Sequence, residues 1–152
     1  QNETVTSQIE DLFSNWDDDG EMLIQLIVAY LHKPGSVNFT ELIGKEKLQF
    51  AKSLLQTVIE KNEHLEKMIV PKLKNWDPER IALLDMILMK MGVAEFLYFE
   101  TIPPKVTINE YIDLAKEYST AQSGQFVNGI LDNINKEMTE QGNMKKVDYK
   151  KR

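Results

Sequence analysis

Cysteine is absent from the 152 residues of the sequence, and long apolar runs are missing as well. Without cysteine the chain has no disulfide bond, no thiolate nucleophile and no cysteine-based metal site. No apolar run reaches the roughly 18 residues that a membrane span needs. The longest candidate, MLIQLIVAYL, contains Gln25 and is closed by Lys33-Pro34-Gly35. No signal-peptide pattern opens the sequence. We therefore expect a cytoplasmic protein without a membrane segment.

Positive charge is also scarce. The sequence has 18 lysine and arginine residues against 24 acidic ones, which gives a net charge of -6. Phosphate neutralisation supplies most of the affinity of non-specific nucleic-acid binding. This balance therefore argues against a free-standing, non-specific nucleic-acid binder. It leaves open a local basic patch, or RNA binding that a basic partner completes.

The usual ingredients of catalysis are few. His32 and His64 are the only histidines, and neither has an acid or a nucleophile at a meaningful spacing. No glycine-rich phosphate loop is present. Asp85, Lys90 and Glu95 in the most apolar segment could form a buried catalytic group. More often such residues lie on the one stripe of a helix that reaches solvent or a partner. We expect no enzymatic activity and no cofactor.

The stretch NWDDDG resembles the first half of a calcium-binding loop. Asn15, Asp17 and Asp19 occupy its first, third and fifth positions. The twelfth position, which needs a bidentate Glu, is Leu26. We therefore interpret the stretch as an acidic start to a helix at about Glu21, and we expect no metal site.

Helical periodicity runs through almost the whole chain. Strand signals are absent, because no alternating β-branched run lies between turn residues. The first clear helix covers about Glu21 to His32 and stops before Pro34. Residues 35–44 are typical of a loop.

From Lys45 onward, helical spacing predicts two helices. An interruption is expected at Asn62, and a kink or an early end at Pro71. The predicted buried positions are Leu48, Ala51, Leu55, Val58 and Ile59 in the first of these helices, and Leu65, Met68, Ile69 and Leu73 in the second.

The segment NWDPERIALLDMILMKMGVAEFLYF predicts the central helix. Asp77 occupies the N-cap position and Pro78 the first helical position, which together are a strong start signal. Few charged residues follow before Phe99, so the helix is apolar on nearly every side, as is typical of a helix wrapped by others. Gly92 would let a neighbouring helix approach closely. The predicted fold class is an all-α helical bundle around a buried central helix.

The helix after Pro103-Pro104 is expected to begin with a capping box. In this box Thr107 caps the helix and Glu110 reaches back, while Val106 and Tyr111 form the hydrophobic staple. The predicted buried face of this helix consists of Ile108, Tyr111, Ile112, Ala115 and Tyr118.

The last helix contains the stretch SGQFVNGILDNI, with Ser123 as its expected cap. At about 100° per residue, Phe126 and Asn128 lie on opposite edges of the buried face, and Gln125 points outward. Phe126 is either a lid on the core or a platform on which an RNA base stacks. Gly129 weakens a helix by up to about 1 kcal/mol relative to Ala, so we expect a close backbone approach there. The predicted buried face consists of Val127, Ile130, Leu131, Ile134 and Met138.

Three segments carry a family resemblance: ERIALLD at the start of the central helix, PPKVTINEYIDLAKEYS and SGQFVNGILD. The stretch from about Leu48 to Met138 resembles the NusB family of bacterial transcription antitermination factors. The three segments occur in the same order and at the same spacings as in that family. The second segment matches that family's Pro-Lys-Val-x-Ile-Asn-Glu helix start, and the third its Phe-Val-Asn-Gly-(Val/Ile)-Leu-Asp signature. The resemblance implies a NusB-like domain over residues 45–138, a helical lead-in over 1–44 and a polar, disordered tail over 139–152.

The resemblance implies a binding protein. NusB proteins bind NusE, which is the ribosomal small-subunit protein S ten, and the pair holds the boxA RNA of nascent rRNA transcripts. This helps the RNA polymerase antitermination complex to resist termination. Family members differ in whether they dimerise, so a homodimer is a further expectation to test. The residues expected on or near the RNA- or partner-binding surface are Lys90, Glu95, Lys105, Ser123, Gln125, Phe126 and Asn128.

The sequence departs from the family in ways that weaken direct RNA contact. Gln125 stands where a basic residue often precedes the family's Phe, Lys90 replaces an Arg and lacks its bidentate fork, and Ala94 replaces a Tyr. No Arg occurs before Arg80. The family's Arg-rich first segment therefore either lies upstream, with this chain a C-terminal portion of a longer protein, or has been lost in a divergent member. The alternative function is a protein-only interaction module that kept the fold and has no RNA affinity of its own.

Overall fold

The computed structural model describes residue 8 and the ranges 16–35, 44–73, 81–120 and 122–147. Over these residues the fold is all-α with no strand, which confirms the predicted class. None of the described helices combines the length and the apolar character that crossing a membrane requires. The chain divides into two compact units, residues 1–48 and 49–152. The described helices, labelled α1 to α6, are Trp16–His32, Lys45–Glu60, Asn62–Ile69, Leu83–Tyr98, Pro104–Tyr118 and Ser123–Glu140, and a 3₁₀ turn covers Val70–Lys72.

Helix α1 begins earlier than the sequence predicts, at Trp16 rather than Glu21. Residues 17–19, the acidic run, lie in its first turn, where negative charge is favourable beside the helix dipole. These residues are helical, in keeping with the interpretation of the stretch as an acidic helix start, and Asn15 lies outside the described residues. The helix ends at His32, as predicted, and Gly35 follows with a left-handed backbone at φ 84°. Of the predicted loop, residues 36–43 lie outside the described part.

The break between α2 and α3 lies at Lys61, beside the predicted interruption, and α3 gives way to the 3₁₀ turn that contains Pro71. The buried face of α2 is not the predicted one, because Leu55 is 63% exposed whereas Leu54 is buried. Two neighbouring stripes of α2 are apolar, and helical spacing alone does not decide which of them packs. The other exposed members of the predicted face are Leu48, Ala51 and Ile59, and the core positions along this side are Leu54, Leu65, Ile69 and Leu73.

Helix α4 is the buried centre of the second unit, as predicted. It packs against α3, α5 and α6, and all of its residues from Gly92 to Phe96 are buried. A Cβ built on Gly92 would lie 2.9 Å from both terminal carbons of Leu131 and 3.3 Å from a ring carbon of Tyr111. The predicted close approach at Gly92 is therefore confirmed.

The start of α4 differs from the prediction. The helix begins at Leu83, because Ala82 has φ -55° and ψ 131°, an extended backbone that a helix cannot include. A continuous helix from Pro78 is therefore wrong. Pro78 itself and the expected N-cap residue Asp77 lie outside the described residues.

The predicted capping box of α5 is wrong. The helix begins at the second residue of Pro103-Pro104, because proline already has the backbone angle that the first helical position needs. Thr107 is fully buried one turn later and donates a hydrogen bond to the Glu95 carboxyl group. Val106 lies inside the helix and is 46% exposed, so the predicted staple is absent as well. The predicted buried face is otherwise present, except that Tyr118 is exposed.

Helix α6 buries the predicted face, and the chain after it turns back along the bundle. The Lys146 ammonium group donates to the backbone carbonyl oxygens of Glu95 and Phe99, at 2.8 Å each. Each of these oxygens also accepts a backbone N–H, from Phe99 and from Ile102 respectively, at 3.2 Å, so Lys146 adds a second hydrogen bond to each carbonyl group at the C-terminal end of α4. Helix α6 extends to Glu140, two residues into the predicted tail, whose disorder stays a prediction. Residues 148–152 lie outside the described part.

Candidate nucleic-acid interface

The junction between α5 and α6 is held by a buried carboxyl group of α4. Asp85 is 5% exposed. It accepts a hydrogen bond from the Ser119 hydroxyl at 2.6 Å and another from the Ser123 hydroxyl at 2.8 Å. Ser119 is the C-cap residue of α5, and Ser123 is the first residue of α6. Asp85 therefore ties the start of α4 to both sides of the junction.

Ser123 does not cap α6, contrary to expectation. The N-cap residue is Gln122, and no side chain caps the helix. The Ser123 hydroxyl instead faces inward, where its oxygen also lies 2.8 Å from the Thr120 hydroxyl and 3.2 Å from the Thr120 backbone nitrogen. The hydroxyl oxygen thus accepts a hydrogen bond from the Thr120 backbone N–H before the helix, while the hydroxyl donates to Asp85 on another helix.

Gly124 allows α6 to start close to α5. A Cβ built on it would lie 2.9 Å from Cγ of Lys116 and 3.6 Å from the backbone oxygen of Ile112. A larger residue would make the Lys116 side chain move, while its distance to the Ile112 backbone would be an ordinary van der Waals contact. The small residue therefore serves packing within the chain.

The first turns of α6 present three of the predicted site residues together. Gln125 and Asn128 are exposed, and Phe126 is half-buried against the core. A cavity of about 170 Å³ adjoins this surface. Its lining comes from the starts of α4 and α6 and from the junction, namely Ile81, Ala82, Asp85, Thr120, Gln122, Ser123 and Phe126.

Gly129 lies one turn along α6 and is exposed. No atom of the described chain lies within 4 Å of a Cβ built there, apart from the helix's own backbone and its neighbours. The expected close backbone approach is therefore wrong for contacts within this chain. Gly129 differs in this respect from Gly92 and Gly124, whose missing side chains are explained by packing.

Lys90 is directed away from this surface. Its ammonium group donates to the side-chain oxygen of Asn62 at 2.8 Å and forms an ion pair with Glu66 at 3.1 Å. Its side chain is only 13% exposed. Lys90 thus joins α4 to α3, and its charge is already balanced.

Glu95 is also occupied inside the fold. It is 6% exposed and accepts hydrogen bonds from the Thr107 hydroxyl at 2.8 Å and the Tyr111 hydroxyl at 2.7 Å. Burial, followed by the charge of Glu95, raises the pKa of Tyr111 well above its usual value. Asp85, Lys90 and Glu95 therefore contact three different sets of partners. They form neither a catalytic group nor a single exposed stripe.

Lys105 is exposed in the first turn of α5. The seven predicted site residues thus divide into four with side chains at the surface and three, Lys90, Glu95 and Ser123, that are bound internally.

Sequence analysis missed the role of Asp85 and of Ser119. The run of hydroxyl residues at the junction, together with an acid in an otherwise apolar helix, was the available signal. Among the described residues, no group of three or more His, Asp or Glu side chains could hold a metal ion.

The fold and this surface define a class of protein: an all-α bundle with a buried central helix, whose last helix presents amides and an aromatic ring beside a small cavity. Within that class the assignment is specific. The chain belongs to the NusB family, whose family model matches residues 7–136. The match begins well before residue 48, so it includes the N-terminal region in which we found no family signature.

Relatives from several bacteria match this chain. It is 40% identical to the transcription antitermination protein NusB of Salinibacter ruber over 97 residues. This matched stretch covers 64% of this chain and 61% of that protein. Over 117 residues it is 37% identical to the NusB of an Exiguobacterium species, which covers 77% of this chain and 91% of that protein. The chain thus spans less than two thirds of the first relative and most of the second.

Two solved structures are similar as well. A NusB from T. maritima has 35% sequence identity and a TM-score of 0.58, over 61% of this chain and 66% of that one. A chain from the complex of antitermination factors NusB and NusE with double-stranded RNA has 25% identity and a TM-score of 0.56, over 80% of this chain and 86% of that one. Both likenesses agree with the all-α fold described above.

Proposed function

We propose that this chain is a transcription antitermination factor that binds NusE and, together with NusE, binds boxA-type RNA of nascent rRNA transcripts. It acts by binding rather than by catalysis, in the cytoplasm, as part of the RNA polymerase antitermination complex. Membership of the NusB family supports this role. The likeness to a NusB chain solved with NusE and RNA supports the choice of partners.

The observation that carries the RNA part of the proposal is the start of α6. Gln125 and Asn128 offer exposed amide groups on the outward side of α6, and the half-buried ring of Phe126 lines a cavity between the start of α6 and the start of α4. Single-stranded RNA is bound by stacking of bases on aromatic rings and by hydrogen bonds to base edges. A rigid helix that presents both kinds of group suits this chemistry.

Charge decides how the RNA is held. The net charge is -6, and of the two predicted cationic site residues only Lys105 is exposed, since Lys90 pairs with Glu66. Phosphate contacts need positive charge. We therefore assign most of the phosphate contacts to NusE and the contacts to bases to this chain.

The same observation favours the alternative, a protein-only module. If the internal pairing of Lys90 and the excess of acid leave too little attraction for RNA, the chain binds NusE without adding RNA affinity. Salt separates the two functions, because binding that neutralises phosphates weakens steeply as salt rises.

The decisive experiment is a titration of boxA-containing RNA with the chain, with NusE, and with their mixture, at two salt concentrations. We expect the mixture to bind more tightly than NusE alone. Phe126→Leu keeps apolar packing but removes the ring, and it should weaken RNA binding by about fivefold or more, the lower end of what one stacked base contributes. Tyr98→Ala, which removes an exposed ring at the other end of α4, is the matched control. If the mixture binds RNA no more tightly than NusE alone, the chain is instead the protein-only module.

A further inference from the structure

We infer that Asp85 is a positioning residue for the RNA-binding surface: through the hydroxyl groups of Ser119 and Ser123 it fixes the first turn of α6, which carries Gln125 and Phe126. The inference rests on the proposed function. It adds a residue that does not itself need to contact RNA.

The first turn of α6 needs such support. The first backbone N–H groups of a helix have no partner within the helix and are usually satisfied by a capping side chain. Here the Ser123 N–H donates to the Thr120 carbonyl oxygen at 2.9 Å and the Phe126 N–H to that of Gln122 at 3.1 Å, but no side chain makes a capping bond. An uncapped end frays, and Gln125 and Phe126 lie within the turn that would fray.

Asp85 supplies the missing constraint from outside the helix. Its two oxygens are held by different residues, Ser119 before the junction and Ser123 after it, so the two ends of the junction have a fixed separation. Hydrogen bonds to a charged acceptor are shorter and stronger than neutral ones. The carboxyl group is buried, so water does not compete well for these bonds.

The same carboxyl group influences what the adjoining cavity accepts. Asp85 lines the cavity beside Phe126. A phosphate group there would face a negative neighbour, whereas the edge of a neutral base would not. The cavity therefore favours an uncharged base over a phosphate, as the proposed division of contacts between this chain and NusE requires.

The α4 helix offers a matched control for this inference. Asp85 and Glu95 are similarly buried, and each accepts two hydroxyl hydrogen bonds. Ser119→Ala and Thr107→Ala each remove one of those donors and change no charge. Only Ser119 adjoins the start of α6.

The experiment measures RNA affinity of the chain–NusE complex for both variants, after circular dichroism has shown that each is fully folded. Ser119→Ala is expected to weaken RNA binding by about fivefold or more, and Thr107→Ala to leave it unchanged. Amide chemical shifts should move around residues 119–126 in the first variant only. Equal losses of affinity in both variants, or no loss in either, would overturn the inference.

Three further outcomes keep this inference separate from the proposed function. Asp85→Asn removes the charge and one of the two acceptor oxygens, so a tighter RNA complex in this variant alone would mean that Asp85 acts by repulsion and not by positioning. If Phe126→Leu leaves RNA affinity unchanged while Ser119→Ala reduces it, the positioning role survives but Phe126 is not the contact. If the wild-type chain adds no RNA affinity to NusE, the proposed function itself has failed.

Discussion

The two ends of the central helix use the same chemistry for different purposes. Near its start, Asp85 accepts bonds from hydroxyl groups that flank the α5–α6 junction, beside an open cavity. Near its end, Glu95 accepts bonds from two residues of α5 and lies beneath the returning chain, where Lys146 binds its backbone oxygen. The first end therefore shapes a surface, whereas the second closes the interior.

This difference shows that a buried acid is not by itself a sign of function. Both carboxyl groups are almost fully covered and fully bonded, and no buried side-chain polar atom in the described residues lacks a partner. What distinguishes Asp85 is the neighbourhood of its partners, which connect to exposed residues. Variants at the Glu95 end should therefore change stability alone, and variants at the Asp85 end should also change binding.

The largest effect is expected for Glu95→Ala. The substitution leaves the hydroxyl groups of Thr107 and Tyr111 without an acceptor in the core, and each unsatisfied buried group costs about 1–3 kcal/mol. The free energy of unfolding in urea should fall by roughly 3 kcal/mol or more. Glu110 is an exposed acid of α5, the helix that also carries Thr107 and Tyr111. Glu110→Ala should change the free energy of unfolding by less than about 0.5 kcal/mol. Equal values for the two variants would mean that the Glu95 bonds do not stabilise the interior.

The next effect is a loss of stability at alkaline pH. Burial, and then the charge of Glu95, raise the pKa of Tyr111 above the value near 10 that it has when unfolded. A raised folded pKa gives stability that is complete below the unfolded pKa and is lost as pH rises beyond it. Thermal unfolding from pH 8 to 11 should show this decline. Tyr111→Phe should be less stable at pH 8, with a smaller decline above pH 10. The same slope in both proteins would assign the decline to other groups.

A smaller effect is expected from the contact that closes this end of α4. Lys146→Met keeps most of the apolar stem but loses the bonds to the carbonyl oxygens of Glu95 and Phe99, and it should lower stability by about 1 kcal/mol. Burial lowers the pKa of Lys146, and the negative charges of Glu95 and Glu100 oppose this effect without cancelling it. Lys145→Met, at the exposed neighbouring residue, is the control. RNA binding should be unchanged in both variants.

Much of this architecture could be predicted from the sequence because it depends on apolar spacing. The buried face of α6 and the all-round burial of α4 follow directly from which residues are apolar. The family signature was equally visible, because it consists of consecutive residues. Gly92 was interpretable because a glycine within a buried helix leaves few reasons other than close packing.

The capping signals failed for a common physical reason. Thr107 and Ser123 both stand where a local cap is expected, yet each is bound to a carboxyl group of α4, 12 and 38 residues away in the sequence. A buried acceptor must be satisfied, and that need outweighs a cap worth about 1 kcal/mol at the surface. Bonds between distant residues leave no local pattern, so the roles of Asp85 and Ser119 could not be predicted.

The smallest effect, and the one that best sharpens the comparison, is expected for Gly129→Ala on the surface side. A Cβ at Gly129 meets open space, so the only intramolecular effect is better helix propensity, and stability should rise by up to about 1 kcal/mol. Gly92→Ala should instead destabilise the fold, because its Cβ would lie 2.9 Å from Leu131 within the core. If the surface of α6 binds NusE or RNA through a close approach at Gly129, the more stable variant should bind more weakly. Stability would then rise while affinity falls. A residue that only supports the fold would not show this combination. A variant that is more stable and binds as well as the wild type would place the contact elsewhere on α6, nearer to Phe126 and the junction that Asp85 holds.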